Sequence, residues 1–410
     1  MPTSLRFALC VVAAAGAATY AAQDRPRDTL ILQRATLIDG VTPEVRRDMT
    51  VVIRDGRFES VSGEATAPQR DDTVIDLQNR WLLPGLVDAH VHVRDLAAAR
   101  AALSRGVTTA RSLGVDHFAD IGVRELHRAG APDVPDVLAG GYHVRRRLAD
   151  AFFLDFPHHR LLMNGLSGAN DVRAAVREMV NRGANVIKVM MTQRAGLTDT
   201  DFRERVLTNA EAVAAVGEAT SARLPVAPHA HTDEAARVAA RAGVRTIEHG
   251  TLMGVETLAL LREKGTCFTP TLTFWVDMLE PGGEYDNPTL AARASEMLPI
   301  ARAAVAHATK LGVRVIAGSD MRYDGTSALG IADEIAELAR SGMTPMAAIQ
   351  SATSSAAACL GIDGRTGAVS PGLEADLIVV DRDPMVDLRA LDTPVLVIND
   401  GRVAVNSIRR

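Results

Sequence analysis

The sequence predicts an α/β fold in which a (β/α)8 TIM-type barrel is combined with a small β-sandwich domain formed by both chain ends. The first observation is that short apolar runs alternate with polar loops and helical patterns over residues 84–365. The second is that the flanks, 23–83 and 366–410, contain β-branched runs separated by turns. The length of 410 residues suits a barrel of roughly 250 residues plus a second module.

Residues 1–22 have the pattern of a secretory signal peptide. Arg6 precedes a short apolar run at 7–18, and small residues separate this run from the polar sequence QDRP at 23–26. The run is shorter than the about 20 residues that span a bilayer. We therefore expect an exported protein, periplasmic or secreted, without stable membrane insertion after cleavage. An uncleaved N-terminal anchor is the alternative.

The two flanks are predicted to fold together as the β-sandwich domain. In the N-terminal part, 23–83, the run TVVI at 50–53 is followed by Asp55-Gly56, a pair typical of hairpin turns. The C-terminal part, 366–410, repeats this character in DLIVVD at 376–381 and VLVIND at 395–400. One domain built from both ends is the simplest arrangement of these strands.

The barrel is predicted from the order of strands and helices between the flanks. Gly243 and Gly312 have the position of helix C-caps that open into strands. Residues 142–170 lack a clear period, which is typical of a substrate loop after a barrel strand. Helical patterns include 171–182, 208–222 and 233–242. Strands are predicted near 86–92, 107–112, 136–141, 185–191, 225–230, 245–249, 267–272 and 313–319.

Composition narrows the classes of partner. The net charge is −5 and no dense basic stripe occurs, which argues against a nucleic-acid partner. After removal of the signal peptide two cysteines remain, Cys267 and Cys359, both among apolar neighbours. This setting favours two buried free thiols over a disulfide.

Polar side chains end several of the predicted strands. His90 and His92 are two residues apart on one strand, so both project to the same side and can bind one metal ion. His229, His249 and Asp320 end three other strands, and strand ends meet at the mouth of a barrel. Each residue alone could instead be a hydrogen-bonded core histidine or a helix cap. Together they predict a metal site.

Lys188 lies inside the apolar run NVIKVMM at 185–191. Burial of a charged lysine is costly and lowers its pKa, because it favours the neutral amine. A neutral amine can take up carbon dioxide to give a carbamate, N6-carboxylysine, and this anion could bridge two divalent metal ions. The alternative is an ion pair with an acid such as Asp320.

The chain resembles the amidohydrolase superfamily over nearly its whole mature length, and within it the group of imidazolonepropionases and Xaa-Pro dipeptidases. Lys188 favours the binuclear dipeptidases, because imidazolonepropionases look mononuclear and lack this lysine. The matching motifs are VIDL at 74–77, WLLPGLVDAHVH at 81–92, IKV at 187–189, HAH at 229–231, IEHG at 247–250, AGSD at 317–320, GMTP at 342–345, GAVSPG at 367–372 and ADLIVVD at 375–381.

The resemblance implies a centre of two divalent metal ions, with zinc preferred and manganese or iron left open. It implies that Asp320 is also the catalytic general base. The implied ligands are His90, His92 and Asp320 for the more buried ion, carboxylated Lys188 as the bridge, and His229 and His249 for the second ion.

The resemblance also implies substrate contacts. His231 follows His229 by two residues, and Tyr142 and His143 follow the third predicted barrel strand. Here the chain departs from the family, because Gly140-Gly141-Tyr142-His143 is followed, after Val144, by three arginines at 145–147 where a glycine-rich stretch is expected. Arg145 could hold a substrate carboxylate, and a solvated basic run is the alternative.

The expected activity is hydrolysis of the amide bond of a dipeptide, of the Xaa-Pro type first, or of an N-acyl amino acid by a metal-activated hydroxide. The substrate is then a small molecule with a free carboxylate. Three alternatives stay open: a lactonase or phosphotriesterase on the same centre, a mononuclear cyclic amidine hydrolase or deaminase, and an exported metal-binding protein without catalysis. The sequence is also compatible with a homo-oligomer.

Overall fold

The structure is a computed structural model that describes residues 29–408. The predicted signal peptide, 1–22, lies outside these residues. The strands are β1 Thr29–Ile38, β2 Val45–Arg54, β3 Arg57–Ser62, β4 Thr73–Asp76, β5 Trp81–Pro84, β6 Leu86–Val91, β7 Val107–Ser112, β8 Asp136–Ala139, β9 Ile187–Met190, β10 Val226–Thr232, β11 Thr246–Leu252, β12 Cys267–Thr269, β13 Leu377–Val380, β14 Leu396–Asn399 and β15 Arg402–Asn406.

Twelve α-helices occur in the same part of the chain, together with short 3-10 helices at Asp116–Phe118, Pro157–Asn164 and Leu388–Asp392. The α-helices are α1 Leu96–Ser104, α2 Ala119–Arg128, α3 Asp150–Asp155, α4 Ala169–Asn181, α5 Asn209–Ser221, α6 Asp233–Ala242, α7 Val255–Lys264, α8 Leu272–Asp277, α9 Pro288–Leu311, α10 Ile331–Arg340, α11 Pro345–Ser351 and α12 Ser354–Leu360. Across residues 29–408, none of these helices combines the length and apolar character needed to cross a membrane.

The two chain ends meet in one mixed sheet of eight strands. Its order is β15-β14-β13-β5-β1-β2-β3, with β4 beside β1. Strand β5 joins the two ends, because it pairs in parallel with β1 and antiparallel with β13. The predicted union of the flanks is therefore observed as one continuous sheet. A sandwich needs two sheets packed face to face, whereas the strand pairing here defines a single sheet. The sandwich and the domain boundaries at 83/84 and 365/366 therefore stay predictions.

The middle of the chain forms a TIM-like arrangement of parallel strands. Strands β6-β7-β8 make one sheet and β12-β11-β10-β9 make another. Single parallel bridges connect them: Val144 with Val189, Phe268 with Val315 and Val91 with Met321. The predicted eighth strand at 313–319 is thus an extended segment with isolated bridges. The barrel outline is present, but its hydrogen bonding is not one closed ladder of eight strands.

Helix α6 shows why the barrel helices form where the sequence predicts them. Thr232 caps its first turn by accepting a hydrogen bond from the backbone of Ala235, and Gly243 ends it in the left-handed region at φ 93°. Its buried residues are alanines at helical spacing, which lets the helix pack closely against β10 and β11. The predicted helix at 233–242 is confirmed, and Gly312 ends α9 in the same way.

The expectation of two free thiols is wrong, because Cys267 and Cys359 form a disulfide. Cys267 begins β12 and Cys359 lies in α12, so the two residues are 92 positions apart in the sequence. Both cysteines belong to one small apolar cluster with Val87 and Ile316. The Cα atoms of the two cysteines are 6.3 Å apart. That separation is ordinary for a disulfide, and it depends on a packing contact that no local pattern reports.

Candidate metal centre

The first histidine pair meets the predicted acid at one end of the barrel. His90 is the next-to-last residue of β6 and is 1% exposed. The Nε2 atoms of His90 and His92 lie 3.4 and 2.8 Å from Oδ1 of Asp320. The backbone N–H of Asp320 also donates to the carbonyl of His90 at 2.7 Å. The structure therefore brings the three residues predicted for one metal ion into a single group.

A second group of histidines adjoins the first. The rings of His229 and His249 have centroids 4.3 Å apart, and the His249 ring is 5.0 Å from that of His90. Ligand atoms of His90, His249 and Asp320 lie within 4.8 Å of one another, and so do those of His229, His231 and His249. His249 thus belongs to both sets, which places the two predicted metal positions side by side.

Two residues of this site, His249 and Asp320, have unusual backbone angles that set the direction of their side chains. His249 and Asp320 both have positive φ values, 72° and 59°. A non-glycine residue in this region costs on the order of 1–3 kcal/mol, and such residues cluster at functional sites. In a regular strand Glu248 and His249 would point to opposite faces, but here both lie next to His90, Glu248 by a hydrogen bond of 2.9 Å and His249 with its ring 5.0 Å away.

Lys188 projects from β9 into the same group and is 1% exposed. Its Nζ lies 3.3 Å from Nε2 of His90, and it makes no ion pair with a carboxylate of residues 29–408. Burial lowers the pKa of Lys188 to about 8. The geometry thus does not favour the alternative in which Lys188 pairs with Asp320. The amine of Lys188 is free to become a carbamate.

The donors at this site fit a transition-metal ion. The buried Nε2 atoms of His231 and His249 have no hydrogen-bond partner in the described part of the chain. Burial, above all, lowers the pKa of His90, His229 and His249 well below the usual histidine value, so these rings keep a free lone pair. Imidazole nitrogens beside a carboxylate are a donor set that zinc, manganese and iron accept.

Glu248 is a functional residue that the sequence reasoning missed. It is fully buried, and Nδ1 of His90 donates to its Oε2 at 2.9 Å. This bond turns the lone pair of His90 Nε2 toward the site, which is the usual role of a carboxylate behind a metal-binding histidine. Arg111 donates to the other oxygen at 2.9 Å. The available signal was an acid inside the apolar run that ends at His249.

Asp88 holds the segment of Asp320 against β6. It accepts hydrogen bonds from the backbone and hydroxyl of Ser319 and from the hydroxyl of Tyr323. Gly318 makes this approach possible, because a Cβ there would lie 2.7 Å from Cβ of His90. Burial raises the pKa of Asp88 to about 6. Gly318 and Asp88 thus hold the segment 313–319 in place, where a regular strand would be held by a ladder of backbone hydrogen bonds.

The metal centre forms the floor of a cavity of about 390 Å³. Tyr142, His143 and Arg145, the residues predicted to contact substrate, are among those that line it. The His143 ring occupies the space beside Gly114, where a Cβ would come within 2.0 Å of it. The Tyr142 hydroxyl donates to Asp155 at 2.6 Å and accepts from the backbone N–H of His117.

His231 is not among the residues that line the cavity. It is fully buried, its Nδ1 lies 2.9 Å from the hydroxyl of Thr251, and its ring packs near Phe202 and Trp275. Its predicted contact with substrate therefore has no support from its position. The position instead places His231 with His229 and His249 as a donor group.

The arginine run at 145–147 is divided between two roles. Arg145 lines the cavity, whereas Arg146 forms a bidentate pair with Glu211, with both distances 2.7 Å. Arg194, which the sequence reasoning did not select, lines the cavity beside Arg145. Its sequence signal is weak, because a single arginine after a predicted strand is common.

Histidines, a buried lysine and an aspartate gathered at one end of a TIM-like barrel define a metal-dependent hydrolase. The chain belongs to the amidohydrolase family, whose model matches residues 81–405. An uncharacterized protein of Mycobacterium tuberculosis is 31% identical, with 85% of this chain and 90% of that protein covered. Ochratoxinase of Aspergillus niger is 26% identical, with 92% and 89% covered.

A solved structure gives the same assignment. The crystal structure of a Xaa-Pro dipeptidase with methionine bound in its active site is similar at a TM-score of 0.81 and 26% identity, covering 92% of this chain and 99% of that one. The suspected group of Xaa-Pro dipeptidase-like amidohydrolases is thereby confirmed. The chain is a hydrolytic enzyme, so the alternative of a metal-binding protein without catalysis is set aside.

Proposed function

We propose that this enzyme hydrolyses the amide bond of a dipeptide of the Xaa-Pro type or of an N-acyl amino acid. One observation carries the proposal: the metal-binding group lines the same cavity as two half-buried guanidinium groups, those of Arg145 and Arg194, which have no ion-pair partner among residues 29–408. A substrate with an amide bond and a nearby carboxylate matches both features. The similar dipeptidase holds methionine, an amino acid with such a carboxylate.

The two arginines are suited to an anion. Both are half-buried, and within residues 29–408 neither side chain donates to a carboxylate or carbonyl. Burial lowers the pKa of Arg145, and the neighbouring charge of Arg194 adds to this effect. Asp116 and Asp150 lie near Arg145 without forming an ion pair. Guanidinium forks match a carboxylate in shape and charge, so a substrate carboxylate would relieve the repulsion between them.

His90, His92 and Asp320 would hold one metal ion and His229 and His249 a second, and Lys188, as a carbamate, would supply an anionic ligand for the pair. When bound, divalent ions supply an activated water and polarise the substrate carbonyl. Glu248 keeps His90 in the tautomer that presents Nε2.

Asp320 is placed to handle the proton. Its carboxylate lies 2.8 Å from His92, 3.4 Å from His90 and 3.9 Å from His249, so it stands between the two histidine groups. We assign to Asp320 the transfer of a proton from the attacking water to the leaving nitrogen. The arginines fix the far end of the substrate while this transfer occurs.

The substrate assignment is tested with Xaa-Pro dipeptides and the same dipeptides as C-terminal amides. Hydrogen bonds to a charged group contribute about 1.5–3 kcal/mol, so Arg194→Gln and Arg145→Gln should each lower kcat/KM for the free acid by roughly 10- to 150-fold. The amide substrate should be affected little. Arg70→Gln, a change at an exposed arginine, is the control.

Two results would reject this substrate class. One is the absence of turnover for every carboxylate-bearing amide in the presence of zinc, manganese or iron. The other is turnover of lactones or phosphotriesters alone, which would favour that alternative on the same centre.

The bridging carbamate is tested by metal analysis of the wild type and Lys188→Ala. We expect Lys188→Ala to contain about one metal equivalent less than the wild type. Added short carboxylic acids should restore its activity. Lys310→Ala, at an exposed lysine, is the control. A metal content near one in the wild type, with full activity in Lys188→Ala, would instead favour the mononuclear cyclic amidine hydrolase or deaminase.

We also propose that the enzyme is exported. The disulfide between Cys267 and Cys359 supports this proposal, because such bonds persist mainly in oxidising compartments. Fractionation of the native host should place the activity outside the cytoplasm, and a cytoplasmic enzyme with reduced thiols would contradict the proposal.

A further inference from the structure

A second cluster of metal-binding side chains lies outside the cavity, on the segment predicted as a substrate loop. His158 and His159 belong to the 3-10 helix Pro157–Asn164, and Glu178 belongs to α4. The Nε2 atoms of His158 and His159 lie 3.2 and 2.8 Å from the same oxygen, Oε1 of Glu178. The donor atoms of all three residues are within 4.8 Å of one another.

We propose that His158, His159 and Glu178 bind one Zn²⁺ ion, separate from the metal centre of the cavity. Zinc bonds of about 2.0–2.1 Å in a tetrahedron place the donor atoms about 3.3 Å apart. The His158 nitrogen is already at this separation from the Glu178 oxygen, at 3.2 Å, and the His159 nitrogen, at 2.8 Å, would have to move apart from it by about 0.5 Å. Two imidazole nitrogens and a carboxylate oxygen are a donor set that zinc accepts, and His158, whose side chain is 63% exposed, leaves the fourth position open to water.

The local backbone favours this cluster. Consecutive residues of a regular helix point in directions about 100° apart. His159 departs from helical geometry, with φ −93° and ψ 19°, and the two rings approach to 4.3 Å between centroids. Glu178 is only 15% exposed, and its helix buries Val172 and Met179 in the main core. The acid is therefore held by a fixed element while the histidines come from the loop.

An ion at this position would fasten the loop to the barrel. The same loop contains Asp155, which accepts the hydrogen bond from Tyr142 in the cavity wall. Arg160 lies next to the histidines and is exposed. Zinc should therefore restrain the segment around Arg160, which gives a measurement that does not depend on catalysis.

The test titrates Zn²⁺ into enzyme whose cavity metals are already saturated, by isothermal calorimetry. The wild type should bind about one further equivalent. His158→Ala/His159→Ala should weaken this binding by at least about 100-fold, the upper range for losing a group that only supports a ligand. Glu178→Gln should weaken it as well. His307→Ala, at an exposed histidine of α9, should bind as the wild type does.

Limited trypsin digestion gives the second readout. Zinc should slow cleavage after Arg160 several-fold in the wild type and in His307→Ala, and should leave the rate in the double variant unchanged. The proposal is overturned if the wild type takes up no further zinc at about 100 μM, or if the double variant takes up the same equivalent. Neither result depends on the substrate proposed for the cavity.

Discussion

Glu248→Gln should weaken metal binding and stability together, by two separable mechanisms. Glu248 has no exposed surface and joins His90 to Arg111, with both hydrogen bonds 2.9 Å long. Glutamine keeps the shape of the side chain and removes its charge. The guanidinium of Arg111 is 2% exposed, so in the variant it becomes a buried charge without a counter-ion.

The effect on stability follows from that buried charge. Breaking a buried ion pair by removing one partner costs about 3–5 kcal/mol. Arg111 keeps its hydrogen bonds to the carbonyl of Ala89 and the hydroxyl of Thr246, so we expect the lower end, about 3 kcal/mol. Adding Arg111→Met removes the unpaired charge. The double variant should therefore recover to within about 1 kcal/mol of the wild type, which is a gain of about 2 kcal/mol over Glu248→Gln.

The effect on the metal should not recover. Loss of a carboxylate behind a metal-binding histidine typically lowers metal affinity about 10- to 100-fold. Arg111→Met does not restore that carboxylate, so the double variant should keep the weak affinity of Glu248→Gln. Urea denaturation of the metal-free protein measures the stability, and competition with a chromophoric chelator measures the affinity.

Glu337→Gln is the matched control for this pair of measurements. Glu337 is also buried and pairs with Arg302 and Arg340, but it lies on α10 outside the cavity lining. It should lose stability with unchanged metal affinity. Wild-type affinity in Glu248→Gln, or additive free energies in the double variant, would refute the role assigned to Glu248.

Three further predictions follow. Burial lowers the pKa of His127, but the hydrogen bond and charge of Asp400, together with the charge of Asp136 and the hydrogen bond to the Val134 carbonyl, outweigh it and raise the pKa to about 8. This stabilisation is complete below about pH 6.5 and is lost as pH rises through 8, and His127→Gln should remove about 1 kcal/mol of it, since Asp400 is 41% exposed. Reducing the Cys267–Cys359 disulfide should lower stability by about 2–4 kcal/mol. Tyr142→Phe should lower stability by about 1 kcal/mol through its lost hydrogen bonds and leave metal content unchanged.

Each of these has a result that contradicts it. Urea midpoints of His127→Gln at pH 6 and 8.5 that change as in the wild type would show that the pair with Asp400 does not titrate as described. A reductant should have no effect on Cys267→Ala/Cys359→Ala, and an equal effect there would place its action elsewhere. Lost metal in Tyr142→Phe would mean that the tyrosine supports the metal centre directly.

Local patterns were sufficient to predict that the candidate metal-binding side chains lie together. His229, His249 and Asp320 each follow an apolar run, and the ends of parallel strands share one face of the fold. Predicting that these side chains share one face requires only the positions of the strands, which the periodicity of the sequence indicates. The predicted and observed bounds of β7 agree, and those of β6 differ only at its end.

Contacts between distant segments could not be predicted in this way. Cys267 and Cys359 approach each other only because α12 packs beneath the barrel strands. His231 follows His229 at strand spacing, which suggested that it faces the same way and reaches substrate. In the structure the ring of Trp275, on α8, lies 5.7 Å from that of His231, which is fully buried and does not line the cavity. Such packing depends on a segment that follows two strands later.

The division between floor and wall determines how substrate specificity can change in this enzyme. The floor residues, such as His90 and Lys188, come from strands whose register fixes their positions. The wall residues Arg145 and Arg194 come from loops, which tolerate change without loss of the barrel. Exchange of a floor residue should therefore abolish turnover of every substrate. Exchange of Arg194 should alter the choice between acid and amide substrates while metal content stays constant, and metal loss in Arg194→Gln would contradict this separation.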